Sequence, residues 1–171
     1  MGDSAMAVVA IFLAAILMFV FPLMTMADRK DDVVTLEVQT ETDRYVQEIA
    51  TTGMTTQSAY DNYIQTLAST GNAYDVDITV QVLDENPAKK ETSANKTIGE
   101  NVYLTLHTTQ VLELIKNNQF KLKEGDIVTI NVKNKNETIG MQLRNFVYKV
   151  TGNNASTITA SVTKMVTTNG Q

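Results

Sequence analysis

Residues 5–26 read AMAVVAIFLAAILMFVFPLMTM, a run of 22 residues without one charged side chain. A helix of that length rises about 33 Å at ~1.5 Å per residue, which matches a bilayer hydrocarbon core of roughly 30 Å. Buried helices of soluble proteins usually keep a polar stripe, and cleavable secretory signals usually have a shorter apolar core behind a basic segment. The run therefore predicts a transmembrane anchor helix within residues 1–27 and a single-pass protein of the cell membrane.

Four residues of this run are candidate helix-packing sites. Ala7, Ala10 and Ala14 would let a second helix approach closely, as small residues do in membrane helix pairs. An equally good interpretation is that they are simply apolar helix formers. Pro22 lacks an amide donor and crowds the preceding turn, which predicts a kink over residues 19–22.

Indications of membrane orientation conflict. Arg29 and Lys30 directly follow the apolar run, and the Lys/Arg rule counts such residues toward the cytoplasmic side. The rest of the chain is rich in Thr and Asn and lightly charged, which is compatible with an exported domain. We expect the C-terminal domain to be extracytoplasmic, although the count of basic residues favours the opposite.

Composition and motifs exclude several classes of function. The net charge of −5 argues against a nucleic-acid partner, and the absence of cysteine excludes disulfides and thiolate metal sites. His107 is the only histidine, so clusters of histidine ligands and Ser–His or Cys–His pairs are excluded. Asp75 and Asp77 alternate along a predicted strand, which is typical of its solvent face rather than of an acid/base pair. We expect no enzyme activity, no cofactor and no metal.

Beyond the run a 3.6-residue period predicts an amphipathic helical extension and a second helix over residues 28–71. Within 28–50 a short strand over 34–38 is the alternative, because apolar and polar residues also alternate there. Gly53 is expected to end the first helix, Thr55 or Thr56 to cap a second one, and Gly71 to stop it. The predicted core face of the first helix consists of Val34, Val38, Thr42, Tyr45 and Ile49.

From residue 72 onward the period changes to 2, and we predict an α+β domain over residues 72–171 with a mostly antiparallel sheet of about four strands and short helices. A short helix is expected after Thr108 or Thr109, and residues 138–148 fit either a helix, which we favour, or a strand. The polar segment 84–101 has no period and is predicted to be a flexible loop. The predicted strands cover residues 74–82, 102–106, 127–132 and 156–166.

The layout resembles that of bacterial pilin-like proteins. An apolar helix near the N-terminus, an amphipathic continuation and a strand-rich C-terminal domain are shared with the TadE-like and pseudopilin components of tight-adherence or type IV pilus-related systems. EIATTGMTTQSAYDNYIQTLASTGNAYDV at residues 48–76 and TIGMQLRNFVYKVTG at residues 138–152 are similar to segments of small anchored proteins of that kind. Such pilins usually carry a Glu in the early apolar run, where this chain has Ala7.

The resemblance implies a non-catalytic structural or accessory component of a bacterial cell-surface pilus or secretion apparatus. Its expected partners are the lipid bilayer and other pilin-like subunits or assembly-platform proteins. The alternative is a membrane-anchored extracytoplasmic module that binds a ligand or a protein through its sheet or through the 84–101 loop.

Overall fold

A computed structural model describes residues 2–83, 103–151 and 159–170 of the chain. Its first element is helix α1 (Gly2–Thr52), which contains 51 residues and continues without interruption through Pro22. At ~1.5 Å per residue it is about 75 Å long. The strand considered for residues 34–38 does not form, because these residues belong to α1 and their apolar side chains keep the helical spacing.

Helix α1 has two halves with different surroundings. From Asp3 to Phe19 every side chain is exposed, whereas the C-terminal half buries one face against the domain. All five residues predicted for that face are buried, as are three of their neighbours. The buried residues of α1 are Asp31, Val34, Val38, Thr42, Tyr45, Val46, Ile49 and Ala50.

A second helix, α2 (Gln57–Ser69), follows Gly53 and packs back on α1. Gly53 adopts the left-handed conformation at φ +67°, which glycine reaches without steric cost, and so ends α1. Thr56 is the N-cap of α2, where its Oγ1 accepts a hydrogen bond from the amide of Ala59 at 3.2 Å. The predicted helix–glycine–helix order is therefore confirmed, including one of the two proposed caps.

Four strands form one antiparallel sheet in the order β2-β1-β3-β4. The elements are β1 (Tyr74–Leu83), β2 (Tyr103–Leu106), helix α3 (Thr108–Lys116), β3 (Ile127–Asn134), helix α4 (Ile139–Thr151) and β4 (Thr159–Met165). The predicted loop 84–101 and the start of the last predicted strand lie outside the described residues. The described part of the chain is thus a long N-terminal apolar helix followed by an α+β domain.

The sheet has one buried and one exposed face because apolar and polar residues alternate along its strands. Buried side chains such as Val80, Ile130 and Val162 face the helices, and together with α1, α2 and α3 they form one core. Asp75 and Asp77 are exposed on the opposite side, as predicted. On that outer face Thr129 and Thr163 form a hydrogen bond across β3 and β4 at 2.9 Å.

Helix α3 begins differently from the prediction. Its N-cap is not Thr108 but His107, whose amide donates to Oε1 of Gln110 at 3.1 Å. The Thr108 hydroxyl instead donates a tertiary hydrogen bond to the Asp77 carboxylate on β1. A local capping pattern could not reveal this contact, because its two residues lie 31 positions apart.

Candidate functional site

The apolar half of α1 is the first candidate functional surface. Among the described residues, α1 is the one helix with the length and composition needed to cross a membrane. Its large side chains are exposed on all sides, including Ile11 at 71% and Phe12 at 71%. An exposed apolar surface of this extent marks contact with lipid or with other protein rather than with water.

The four predicted helix-packing residues lie on this surface. Ala7, Ala10, Ala14 and Pro22 are all exposed, so each is available to lipid or to another helix. At about 100° per residue the three alanines fall within an arc of roughly 60° on one side of the helix. The structure therefore brings the alanines onto one narrow face, while the proline lies further along and does not end the helix.

A polar junction joins α1 to α4 just beyond the apolar run. Asp31 is 8% exposed, and its Oδ2 accepts a hydrogen bond from the Thr138 hydroxyl at 2.6 Å. The guanidinium of Arg144 lies between two carboxylates, with Nη2 3.4 Å from Asp31 Oδ2 and Nε 3.1 Å from Asp28 Oδ1. The second contact is an ion pair without good hydrogen-bond alignment, since neither Nε nor Oδ1 has a hydrogen-bond partner.

The first turn of α4 is fitted tightly against this junction. The Thr138 hydroxyl, which donates to Asp31, also accepts from the amide of Met141 at 3.1 Å and so caps α4. A Cβ placed on Gly140 would lie 3.2 Å from Asp31 Cγ and 3.4 Å from the Ala27 carbonyl carbon. The nearest atom would be Asp31 Oδ2 at 2.5 Å, so a side chain at this position would displace the carboxylate that binds Thr138 and Arg144. These contacts fix where α4 meets α1.

A tyrosine cluster holds α2 on the buried face of α1. The rings of Tyr45 and Tyr63 stack with centroids 4.5 Å apart. Tyr63 OH is 3.0 Å from Thr42 Oγ1, and Tyr45 OH is 3.1 Å from Thr55 Oγ1, so both buried hydroxyls have partners. Burial raises the pKa of Tyr63 to about 12 and raises the pKa values of Tyr45 and Tyr60 as well. The cluster is neutral and structural at physiological pH.

Two grooves flank α1 on the domain. The first lies between α1 and β4, has a volume of about 550 Å³ and is lined mainly by polar side chains, with Lys164 bound to Asp43 at 2.8 Å. The second lies between α1 and the start of α4, has a volume of about 670 Å³ and includes Leu23, Met26 and Ile139 among its lining residues. Sequence reasoning identified neither groove, because each is formed by segments distant in sequence.

Within residues 2–83, 103–151 and 159–170, no three His, Cys, Asp or Glu side chains are grouped to hold a metal ion. The lone His107 is exposed at the start of α3. Compared with known proteins, the chain matches no family model, no curated protein and no solved structure.

Proposed function

We propose that the chain is a non-catalytic, pilin-like structural or accessory subunit of a bacterial cell-surface pilus or secretion apparatus. The observation that carries this proposal is the continuity of α1. One unbroken helix presents an exposed apolar half and, through the buried face of its C-terminal half, forms part of the domain core. A chain that needed only a tether could join its anchor to its domain by a flexible linker.

In this proposal residues 5–26 cross the cell membrane once, and the C-terminal domain lies outside the cytoplasm. The charged residues that follow the run mark the membrane boundary, since charged side chains are costly within hydrocarbon. The bare half of α1 first contacts lipid and then packs with the corresponding helices of other subunits. Its alanine face, formed by Ala7, Ala10 and Ala14, supports this role because small residues permit close helix approach.

Cysteine crosslinking tests the proposal, and the chain contains no native cysteine to complicate it. Single cysteines at Ala7, Ala10 and Ala14 should form dimers in native membranes. Cysteines at Phe12 and Ile16, which lie on the opposite side of the helix at about 100° per residue, should not. The crosslink through position 7 should disappear when Ala14 is replaced by leucine.

The leucine substitution separates assembly from insertion. Leucine is at least as favourable in a membrane helix as alanine, so Ala14→Leu should remain in the membrane through high-salt and alkaline washes. The larger side chain should hold neighbouring helices apart. Equal crosslinking at Phe12 and Ala14, in cells that display the protein normally, would contradict the subunit proposal.

The second candidate function is a membrane-anchored extracytoplasmic binding module. It is favoured by the polar groove between α1 and β4, whose Lys164 is held by Asp43 at 2.8 Å and by Gln47 at 2.8 Å. A ligand bound there would be affected by Lys164→Met and indifferent to Ala14→Leu. Surface binding lost only in Lys164→Met, with no helix crosslinks, would put this candidate first.

A further inference from the structure

The start of α4 carries an exposed apolar side chain close to the end of the apolar run of α1. Ile139 is 70% exposed, although it is the first residue of α4 and the helix packs on α1. Met141, two residues further along α4, is 6% exposed and belongs to the core instead. One exposed apolar residue would need no explanation, but Ile139 shares a groove with the exposed Leu23 and Met26 of the apolar run, and a contiguous apolar patch indicates a binding partner.

The height of Ile139 along α1 follows from the contacts of its neighbour. Gly140 lies against Ala27 and Asp31, since a Cβ at this position would be 3.4 Å from the carbonyl carbon of the first and 3.2 Å from Cγ of the second. Ala27 is the first residue after the apolar run, so at ~1.5 Å per residue Gly140 lies within about 8 Å of the end of that run. The start of α4 is therefore at the level expected for the membrane–water interface.

The groove between α1 and the start of α4 is lined by apolar side chains from both helices. Leu23 and Met26, which are 55% and 69% exposed, line it from α1, and Ile139 and Leu143 line it from α4. Leu23 and Met26 belong to the apolar run itself, so the apolar lining of the groove is continuous with the proposed lipid-facing surface. Lys30 lines the groove one turn further along α1 and is exposed.

We propose that the first turn of α4 is a second membrane contact, in which Ile139 enters the interfacial layer of the bilayer beside Leu23 and Met26. The occupant of the groove is lipid: acyl chain next to the apolar side chains and headgroup phosphate within reach of Lys30. The inference rests on the proposed membrane-spanning role of residues 5–26 and applies to the membrane-inserted subunit.

The polar junction holds the proposed second membrane contact rigidly on α1. Because Asp31 binds both Thr138 and Arg144, α4 cannot move along α1 without breaking buried polar contacts. A single spanning helix would leave the domain free to tilt and rotate on the membrane. A second contact held rigidly against the first fixes the orientation in which the domain is presented to other subunits.

Tryptophan fluorescence tests the inference directly, because the chain contains no tryptophan. The full chain is reconstituted into phosphatidylcholine vesicles with one tryptophan at position 139, 13 or 104. Leu13→Trp reports on the proposed span, and Leu104→Trp, on edge strand β2 with its side chain 62% exposed, is the matched water-exposed control. Near-ultraviolet circular dichroism of the six tyrosines shows whether each variant is folded.

Lipids brominated near the headgroup should quench Ile139→Trp strongly, and its emission should be blue-shifted relative to Leu104→Trp. Aqueous iodide should quench Leu104→Trp and have little effect on position 139. Leu13→Trp should respond most to bromines near the bilayer centre. The deciding comparison is therefore between two residues that are similarly exposed in the isolated chain.

Other outcomes are distinguishable. Iodide quenching of Ile139→Trp equal to that of Leu104→Trp would overturn the inference, and protection of position 139 from both quenchers would assign the groove to protein instead of lipid. If Leu13→Trp itself escapes brominated lipid, the spanning role fails and not merely the second contact. Ile139→Gln supplies an independent measurement, since it should weaken protection at a neighbouring probe, Leu143→Trp, without loss of membrane association.

Discussion

Replacing Gly53 with alanine should disrupt much of the packing between the end of α1 and the C-terminal tail, residues 167–170. Gly53 has φ +67°, and a Cβ there would overlap the backbone of Thr168 and Gly170. The left-handed conformation alone costs an alanine roughly 1–2 kcal/mol. The overlap adds a second cost, because the obstacle is backbone that cannot rotate away as a flexible side chain could.

The size of that second cost follows from the hydrogen bonds that hold the tail. The Thr167 amide donates to Ala50 O at 2.8 Å, and the Gly170 amide donates to Leu122 O at 2.8 Å. Asn169 Oδ1 accepts from the Glu124 amide at 2.8 Å. Losing these three bonds at roughly 1 kcal/mol each, with the conformational cost, gives a destabilisation of about 4–5 kcal/mol. This is a large share of the roughly 5–15 kcal/mol that stabilises a typical domain.

Gly71→Ala is the matched control. Gly71 has φ +83°, and a Cβ there would meet nothing within 4 Å, so this variant bears the conformational cost without the overlap. Both variants are unfolded by urea as full chains in detergent micelles, with the near-ultraviolet signal of the tyrosines as the probe. All six tyrosines lie beyond residue 26, so that signal reports on the domain. Equal destabilisation of the two variants would refute the steric argument.

Three further predictions concern buried polar groups. Asp126 is 2% exposed and accepts hydrogen bonds from the amides of residues 83 and 123 at 2.8 Å each. Asp126→Ala should therefore lower the free energy of unfolding by about 3 kcal/mol in a urea titration. The control Asp75→Ala, at an exposed residue, should change it by less than about 0.5 kcal/mol. Because burial raises the pKa of Tyr63 from 10.0 to about 12, its contribution is fully present below pH 10 and is lost as the pH rises toward 12. Urea midpoints at pH 8 and pH 11 should therefore differ by less in Tyr63→Phe than in the parent. Arg144→Met should lower the free energy of unfolding by about 3 kcal/mol, because it leaves the buried Asp31 carboxylate without its cation. Adding Asp31→Asn should recover part of that loss. A double-mutant cycle that shows no coupling energy between the two residues would contradict the ion pair.

Local periodicity was sufficient to predict most of the fold. The three-and-four spacing of Val34, Val38, Tyr45 and Ile49 correctly predicted the buried face of α1. Alternation of apolar and polar residues predicted the strands, because the sheet has one face exposed to solvent. Gly53 and Gly71, which both have positive φ, correctly marked the ends of α1 and α2. These signals are local: the period or the backbone requirement can be read within a few residues.

The candidate site was much less predictable, because it depends on contacts between distant segments. Arg144 and Asp31 lie 113 positions apart, and no local pattern pairs one arginine with one of several aspartates. Ile139 is exposed at the start of α4 whereas Met141 enters the core, and which of the two is buried depends on how α4 packs on the distant helix α1. The pilin-like role, the partners and the membrane orientation remain predictions.

The continuity of α1 relates its two surfaces in a way that bears on assembly. In an ideal helix with about 100° per residue, the face formed by Ala7, Ala10 and Ala14 lies roughly 110° around the axis from the face that Val34 to Ile49 bury in the domain. Helices that pack through the alanines would then approach from a side that the subunit's own domain does not occupy. The same geometry would be lost if a flexible linker joined anchor and domain, because the two faces could then rotate independently. An unbroken helix is thus the feature by which packing in the membrane could set the position of the domain outside it.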